Sequence, residues 1–187
     1  MKDDVLRTSP QLDKWQVYYT AVPEAALNSS KYFYFHNDTV DQGETIKFIC
    51  AVENVSNYSM DSLRINYFVY DNKRVKHDLP YPRQRKLKPY GDTIKAEINI
   101  DSRYYLGSNT LWIEVNPEND QLEQYHFNNI ASIPFYVKKD ATNPLLDVTF
   151  DGVHILNGDI ISPTPEIKIQ LRDENKFLAL TDTSLFR

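Results

Sequence analysis

The amino-acid sequence predicts an all-β fold in which two sheets face each other, and three observations carry that prediction. Apolar and polar residues alternate over one short run after another, the period of a strand with one buried face. Turn chemistry separates the runs at short spacing: Asn37-Asp38, Gln42-Gly43, Gly91-Asp92, Asp151-Gly152 and Asn157-Gly158. Composition agrees, since 13 Tyr, 9 Phe and 2 Trp stand against 2 Met, and no alanine- or leucine-rich helical tract interrupts the 187 residues.

Residues 1–30 are expected to form a lead-in strand and linker. Their one β-like run, residues 15–22 (WQVYYTAV), is ended by Pro23. Glu24-Ala25-Ala26-Leu27 is expected to amount to no more than one helical turn, because a helix that short is not stable on propensity. Residues 31–139 read as an immunoglobulin-like β-sandwich, close to the roughly 100 residues such a sandwich uses. Its lead strand is 32–36. Residues 44–53 place Ile46, Phe48, Cys50 and Val52 on one face; 63–71 do the same with Leu63, Ile65, Tyr67 and Val69, and 93–100 with Ile94, Ala96, Ile98 and Ile100.

The closing hairpin, 110–139, is the clearest unit. Leu111, Ile113 and Val115 face inward on its first strand, with Trp112, Glu114 and Asn116 outward. On its second, Ala131, Ile133, Phe135 and Val137 face inward and alternate with Ser132, Pro134 and Tyr136. An outward Pro134 lacks the N–H that a central strand needs, so it assigns an edge position or a bulge. Two facing sheets bury all these apolar sides at once. Residues 140–144 are a linker, and 145–187 a partial second immunoglobulin-like module with apolar positions at Leu146, Val148, Phe150, Ile167, Ile169 and Leu171. That stretch is about half of what a sandwich requires, so it is expected to be truncated.

Several function classes find no support. No run of about 18 apolar residues is present to span a membrane. The start, MKDDVLRTSP, has no apolar signal core, and with the abrupt end at Thr183-Ser184-Leu185-Phe186-Arg187 it reads as a piece of a longer chain. One Cys permits no internal disulfide and no Cys-rich metal site. The four His lie one per segment, at 36, 77, 126 and 154, without zinc-site spacing, and the five Gly sit in separate turns rather than in a phosphate-cradling loop. Cys50 shares the inward face with Phe48 and Val52 and reads as a small buried hydrophobe, not a nucleophile. No catalytic residue, cofactor or metal ligand is expected, and no nucleic-acid partner.

Three features are candidates for binding. The loop 116–123 (NPENDQLE) supplies oxygen ligands of the kind calcium prefers but lacks EF-hand spacing, and reads first as a solvated hairpin loop. The run 73–88 holds seven basic residues, Lys73, Arg74, Lys76, Arg83, Arg85, Lys86 and Lys88, against a single acid, Asp78, in a chain of net charge −5. It is either a polyanion patch or a charged edge strand guarded by Pro80 and Pro82. Outward Phe68, Tyr70 and Trp112 form an aromatic surface that either stacks on sugars or is covered by a second layer or a neighbouring domain.

A family resemblance takes the reading further. Gly43-Glu44-Thr45-Ile46-Lys47-Phe48, Ala51-Val52-Glu53-Asn54, Met60-Asp61-Ser62-Leu63, Leu111-Trp112-Ile113-Glu114-Val115-Asn116 and Glu123-Gln124-Tyr125-His126-Phe127-Asn128-Asn129 together resemble the bacterial cell-adhesion-related (CARDB) domain, an immunoglobulin-like module, over residues 31–139. Residues 143–165 (NPLLDVTFDGVHILNGDIISPTP) resemble the segment after such a domain in exported Bacteroidetes proteins of the gingipain-like cysteine peptidase family, including sortase-like components of type IX secretion. The resemblance implies a non-catalytic structural and interaction module of an exported, surface-associated multidomain protein. Its partners would be the parent's neighbouring domains and other surface proteins or glycans, at the cell surface or outside the cell. No residue matches the peptidases' Cys/His motif, so none is assigned a catalytic role. The alternative is a carbohydrate- or polyanion-binding adhesion module.

Overall fold

The computed structural model describes residues 14–178. Eleven strands run in chain order: β1 (Ala25–Leu27), β2 (Phe33–Phe35), β3 (Thr39–Asp41), β4 (Thr45–Asn54), β5 (Ile65–Tyr70), β6 (Lys76–Leu79), β7 (Thr93–Asp101), β8 (Gly107–Val115), β9 (Ile130–Lys138), β10 (Leu145–Phe150) and β11 (Ile167–Arg172). In the first sheet β4 is central, with β7 on one edge and both β1 and β2 on the other; the second has the order β3-β9-β8-β5-β6. All pairings in the two sheets are antiparallel except β3 with β9, which is parallel. This is an all-β, immunoglobulin-like sandwich.

Strand β4 is ten residues long and carries the core of its sheet because its inward side is Ile46, Phe48, Cys50 and Val52, all buried. β7 adds Ile94, Ala96, Ile98 and Ile100; Ile65, Tyr67 and Val69 of β5 and Leu111, Ile113 and Val115 of β8 meet them from the opposite sheet. Alternation in the sequence therefore places the core as expected. Phe48 and Tyr67 meet edge-on across the sandwich at 6.4 Å between ring centroids, and Tyr67 meets Tyr81 at 4.8 Å. The Cys50 thiol is buried, which pushes its pKa up, and it donates to the Ala51 carbonyl at 3.5 Å.

Pro134 occupies an edge, as its missing donor requires. Tyr136 donates its N–H to the Asp38 carbonyl at 2.7 Å. The Pro134 nitrogen, two residues earlier, points to the same side, where β3 has not yet begun. Strand β6 forms the opposite edge and stops at Leu79, directly before Pro80.

Four expectations are corrected. Residues 15–22 form no strand: Trp15, Tyr18 and Tyr19 are exposed, because β-like composition without a neighbouring edge has nothing to pair with. Ala25–Leu27 is a strand rather than a helical turn, pairing with Val52 to Asn54 of β4 and putting Ala25 in the core. Packing overrides local propensity there. β1 and β2 are two halves of one edge, separated by an outward excursion at residues 28–32 where Asn28 donates to, and Tyr32 accepts from, the backbone of Ala51. Asn116, expected outward, is buried; it takes a left-handed φ of 50° that ends β8 and turns its amide back under the loop. Phe68, expected exposed, is buried on the outer side of its sheet.

Strands β10 and β11 pair only with each other. Residues 140–144 carry no regular secondary structure. The chain returns to the sandwich at Asn175, whose amide donates to the Gln42 carbonyl at 3.0 Å. Gly43, at φ 94°, lies so close to Phe177 that an added Cβ would stand 2.9 Å from the Phe177 carbonyl carbon. The expected first residues of the lead-in, 1–13, and the end of the second module, 179–187, lie outside the described residues.

Candidate functional site

The outer face of the five-stranded sheet carries the candidate site. Strand registers set its rows: Asp78, Phe68, Trp112 and Ser132 cross β6, β5, β8 and β9, and Lys76, Tyr70, Thr110 and Pro134 form the next row. Beyond them Ser108 and Tyr136 lead across to Thr39 of β3. Phe68 and Trp112 stack with their planes 2° apart at 6.2 Å, and the Tyr70 ring stands edge-on to both, at 5.5 and 6.5 Å. The Lys76 ammonium covers the free side of Phe68 at 4.2 Å from the centroid. Phe68 is buried for that reason: the aromatic cluster covers its own centre and leaves Tyr70 and the neighbouring Tyr136 as the exposed rings.

A cleft of about 480 Å³ opens beside this cluster. Tyr70 and Tyr136 flank it, Ser108, Thr110 and Pro134 lie between them, and Asp38, Asp71 and Arg74 form its charged rim. Asp71 shapes the rim. Its carboxylate accepts the N–H groups of Lys73 and Val75, both at 2.8 Å, and pairs with His77 at 3.0 Å. The bond from His77 holds the Asp71 carboxyl below the usual carboxylate range, and the two backbone donors add to it. In the tight turn so formed Arg74 adopts a left-handed φ of 62° and reaches the cleft.

The seven basic residues of the run 73–88 do not converge. Lys73 and Arg74 sit in the β5–β6 turn and Lys76 pairs with Asp78 at 3.0 Å on β6. Arg83 pairs with Asp120, and Arg85 grips Asp92 with both guanidinium nitrogens at 2.7 and 2.9 Å. Lys86 and Lys88 are exposed on the β6–β7 connection. Of the seven, Arg74 alone lines the cleft.

The loop 116–123 is less solvated than its composition suggests. The Glu123 carboxylate accepts from the Ala25 N–H at 2.8 Å and from the side-chain amides of Asn116 and Asn129. In return the Glu24 carboxylate accepts from Gln124 N–H at 2.8 Å, Tyr125 N–H at 3.2 Å and the Asn128 amide at 2.7 Å. Each glutamate thus reaches the backbone of the residue after the other, clasping β1 to the β8–β9 loop. Burial pushes the Glu123 carboxyl up, and the Glu24 charge adds to the shift. With N–H donors filling both carboxylates, the clasp is structural. Among the described residues no group of three or more His, Cys, Asp and Glu side chains is placed to hold a metal.

Sequence reasoning found Tyr70, Trp112 and Arg74 but not the cleft. Tyr136 was legible as outward; Asp38 is legible only as part of a turn, and nothing marks it or Asp71 as a site residue, because only the parallel β3–β9 pairing and the β5–β6 turn bring them to one place.

A sandwich of this topology defines an all-β, immunoglobulin-like module. It is similar to the CARDB domain of a Pyrococcus furiosus protein, solved in complex with di-metal ions, with a TM-score of 0.51 and 15% identity over 66% of this chain and 100% of that domain. The solution structure of that domain gives a TM-score of 0.50 at 15% identity, over 64% of this chain and 98% of the domain. At this identity the likeness is one of fold. No protein-family model matches the sequence, and no curated protein does. No helix among the described residues is long and apolar enough to cross a membrane.

Proposed function

We propose that the chain is a non-catalytic, adhesion-type interaction module of an exported multidomain protein, and that the outer face of its five-stranded sheet is the docking surface. The observation that carries this reading is the aromatic face itself. A sheet needs one apolar side for its core, yet this one also builds a second, ordered aromatic cluster of Phe68, Tyr70 and Trp112 on the side away from the core, with Tyr70 exposed at its end and Tyr136 exposed beside it. The parent we infer is a gingipain-like cysteine peptidase or a type IX secretion component, supported by the resemblance of residues 143–165.

Ser132 is exposed beside Trp112 at the middle of the face, so Ser132→Arg blocks the surface while leaving the core untouched. Fluorescently labelled chain should bind the surface of cells of its source organism, and the variant should not. Binding that the variant leaves intact would overturn the assignment of the face. The parent reading frame should encode an export signal and a Cys/His peptidase domain; a frame with neither would overturn the inferred context.

A further inference from the structure

The cleft beside the aromatic cluster combines features that point to one kind of ligand. Asp38 and Arg74 on its rim make no ion pair with any described residue, whereas the third charged rim group, Asp71, is already engaged by Lys73, Val75 and His77. Tyr70 and Tyr136 rise from β5 and β9, two strands apart, which places them roughly 10 Å from each other by strand spacing. The hydroxyls of Ser108 and Thr110 lie on β8 between them. The volume of about 480 Å³ falls within the range of small-ligand sites.

Other ligands fit poorly. A purely apolar ligand would strip water from Asp38, Arg74 and two hydroxyls without replacing their hydrogen bonds. A simple anion would meet Arg74 but also two carboxylates. An added peptide strand needs an open sheet edge, and this is the face of a sheet. A polyhydroxylated ring satisfies every group: its C–H face lies against a tyrosine ring, adjacent hydroxyls donate to Asp38, and their oxygens accept from the planar fork of Arg74.

We propose that this cleft binds a pyranose unit of a glycan, with Tyr136 and Tyr70 stacking on the ring and Asp38 and Arg74 binding its hydroxyls. The inference rests on the outer face being the docking surface, and it names the ligand class of that face.

The test is a printed array of neutral and acidic pyranose glycans probed with the labelled 187-residue chain. Binding should be confined to a family of related sugars and should fall about tenfold or more in Tyr136→Ala and in Asp38→Asn, each a loss of one strong contact. Arg74→Lys keeps the charge but loses the fork, so it should weaken binding as well, while Lys86→Gln, remote from the cleft, should not. Circular dichroism of each variant confirms folding. No binding anywhere on the array, or binding unaffected by Tyr136→Ala, overturns the proposal. So does binding to sulfated glycans alone that vanishes with salt and follows Lys86 and Lys88, which would make the surface a polyanion patch. If the array is blank while Ser132→Arg still abolishes cell binding, the glycan assignment fails and the docking face stands; if both are negative, the docking face fails too.

Discussion

Cys50 shows how fully a single position can be fixed by its neighbours. Its thiol is buried between two sheets, with its pKa raised and one weak bond to the Ala51 carbonyl. Cys50→Ser should lower stability by about 1–3 kcal/mol, the cost of burying a hydroxyl in place of an apolar thiol, with no effect on cell-surface or glycan binding. Urea denaturation measures it, and an unchanged midpoint would mean the site is wetter than its burial implies. This burial was legible because a period of two leaves Cys50 only one side of β4 to face. Glu24 and Glu123 were not legible. Nothing local in either stretch announces that two carboxylates far apart in the chain will exchange bonds with each other's following residue. Asn116 escaped for the related reason that alternation assumes the strand continues, whereas its left-handed backbone ends it.

At the level of elements, the β6–β7 connection is long and irregular, and the Arg85–Asp92 pair closes it. Arg85 also donates to the carbonyls of Lys86 and Thr93, and Asp92 accepts the Lys88 N–H at 2.8 Å. The guanidinium beside it holds the Asp92 carboxyl far below the usual carboxylate range. The unfolded chain lacks that pairing, so its Asp92 takes up a proton near the ordinary value of about 4. The stabilisation is therefore fully present above that value and is lost as pH falls from there through the folded pKa. Asp71 and Asp101, shifted the same way by His77 and Arg103, add to this acid limb. Asp92→Asn should be less stable than the wild type at pH 7, and the gap in urea midpoint should narrow by pH 3. A gap that stays constant would show that the pair contributes nothing through its charge. The sequence offered Arg85 only as one member of a basic run; its carboxylate partner lies past Gly91, and the turn that joins them is set by the loop's fold. Strand assignments fared best where alternation was sustained, as in β4, β7, β8 and β9. They failed at β1, whose three residues carry no period to read and which exists because β4 offers it an edge.

Over the whole molecule, burial is uneven. Both sheets of the sandwich share one core, whereas β10 and β11 pair only with each other and leave Leu145, Leu146, Ile167 and Ile169 exposed. A two-stranded ribbon is marginal on its own. We infer that residues 145–178 are a separate, weaker unit that leans on the sandwich through Asn175 and Phe177. Amide hydrogen exchange should then be faster at Leu146, Val148 and Ile169 than at Leu111 and Ile113. Equal protection would make the two parts one cooperative unit. The parallel pairing of β3 with β9 has a mechanical meaning as well. A tether pulled from both ends draws Thr39–Asp41 toward one end and Tyr136–Lys138 toward the other, so the bonds between these strands are loaded in shear and must rupture together rather than unzip one by one. Gln42→Pro, which removes both the N–H that reaches the Lys138 carbonyl at 3.0 Å and the side-chain oxygen that accepts the Asp140 N–H at 3.1 Å, should lower the rupture force in single-molecule stretching. Its location, where the first long strand begins and the last strand of the sandwich ends, makes this short seam the latch that decides how much tension the module can carry before it extends.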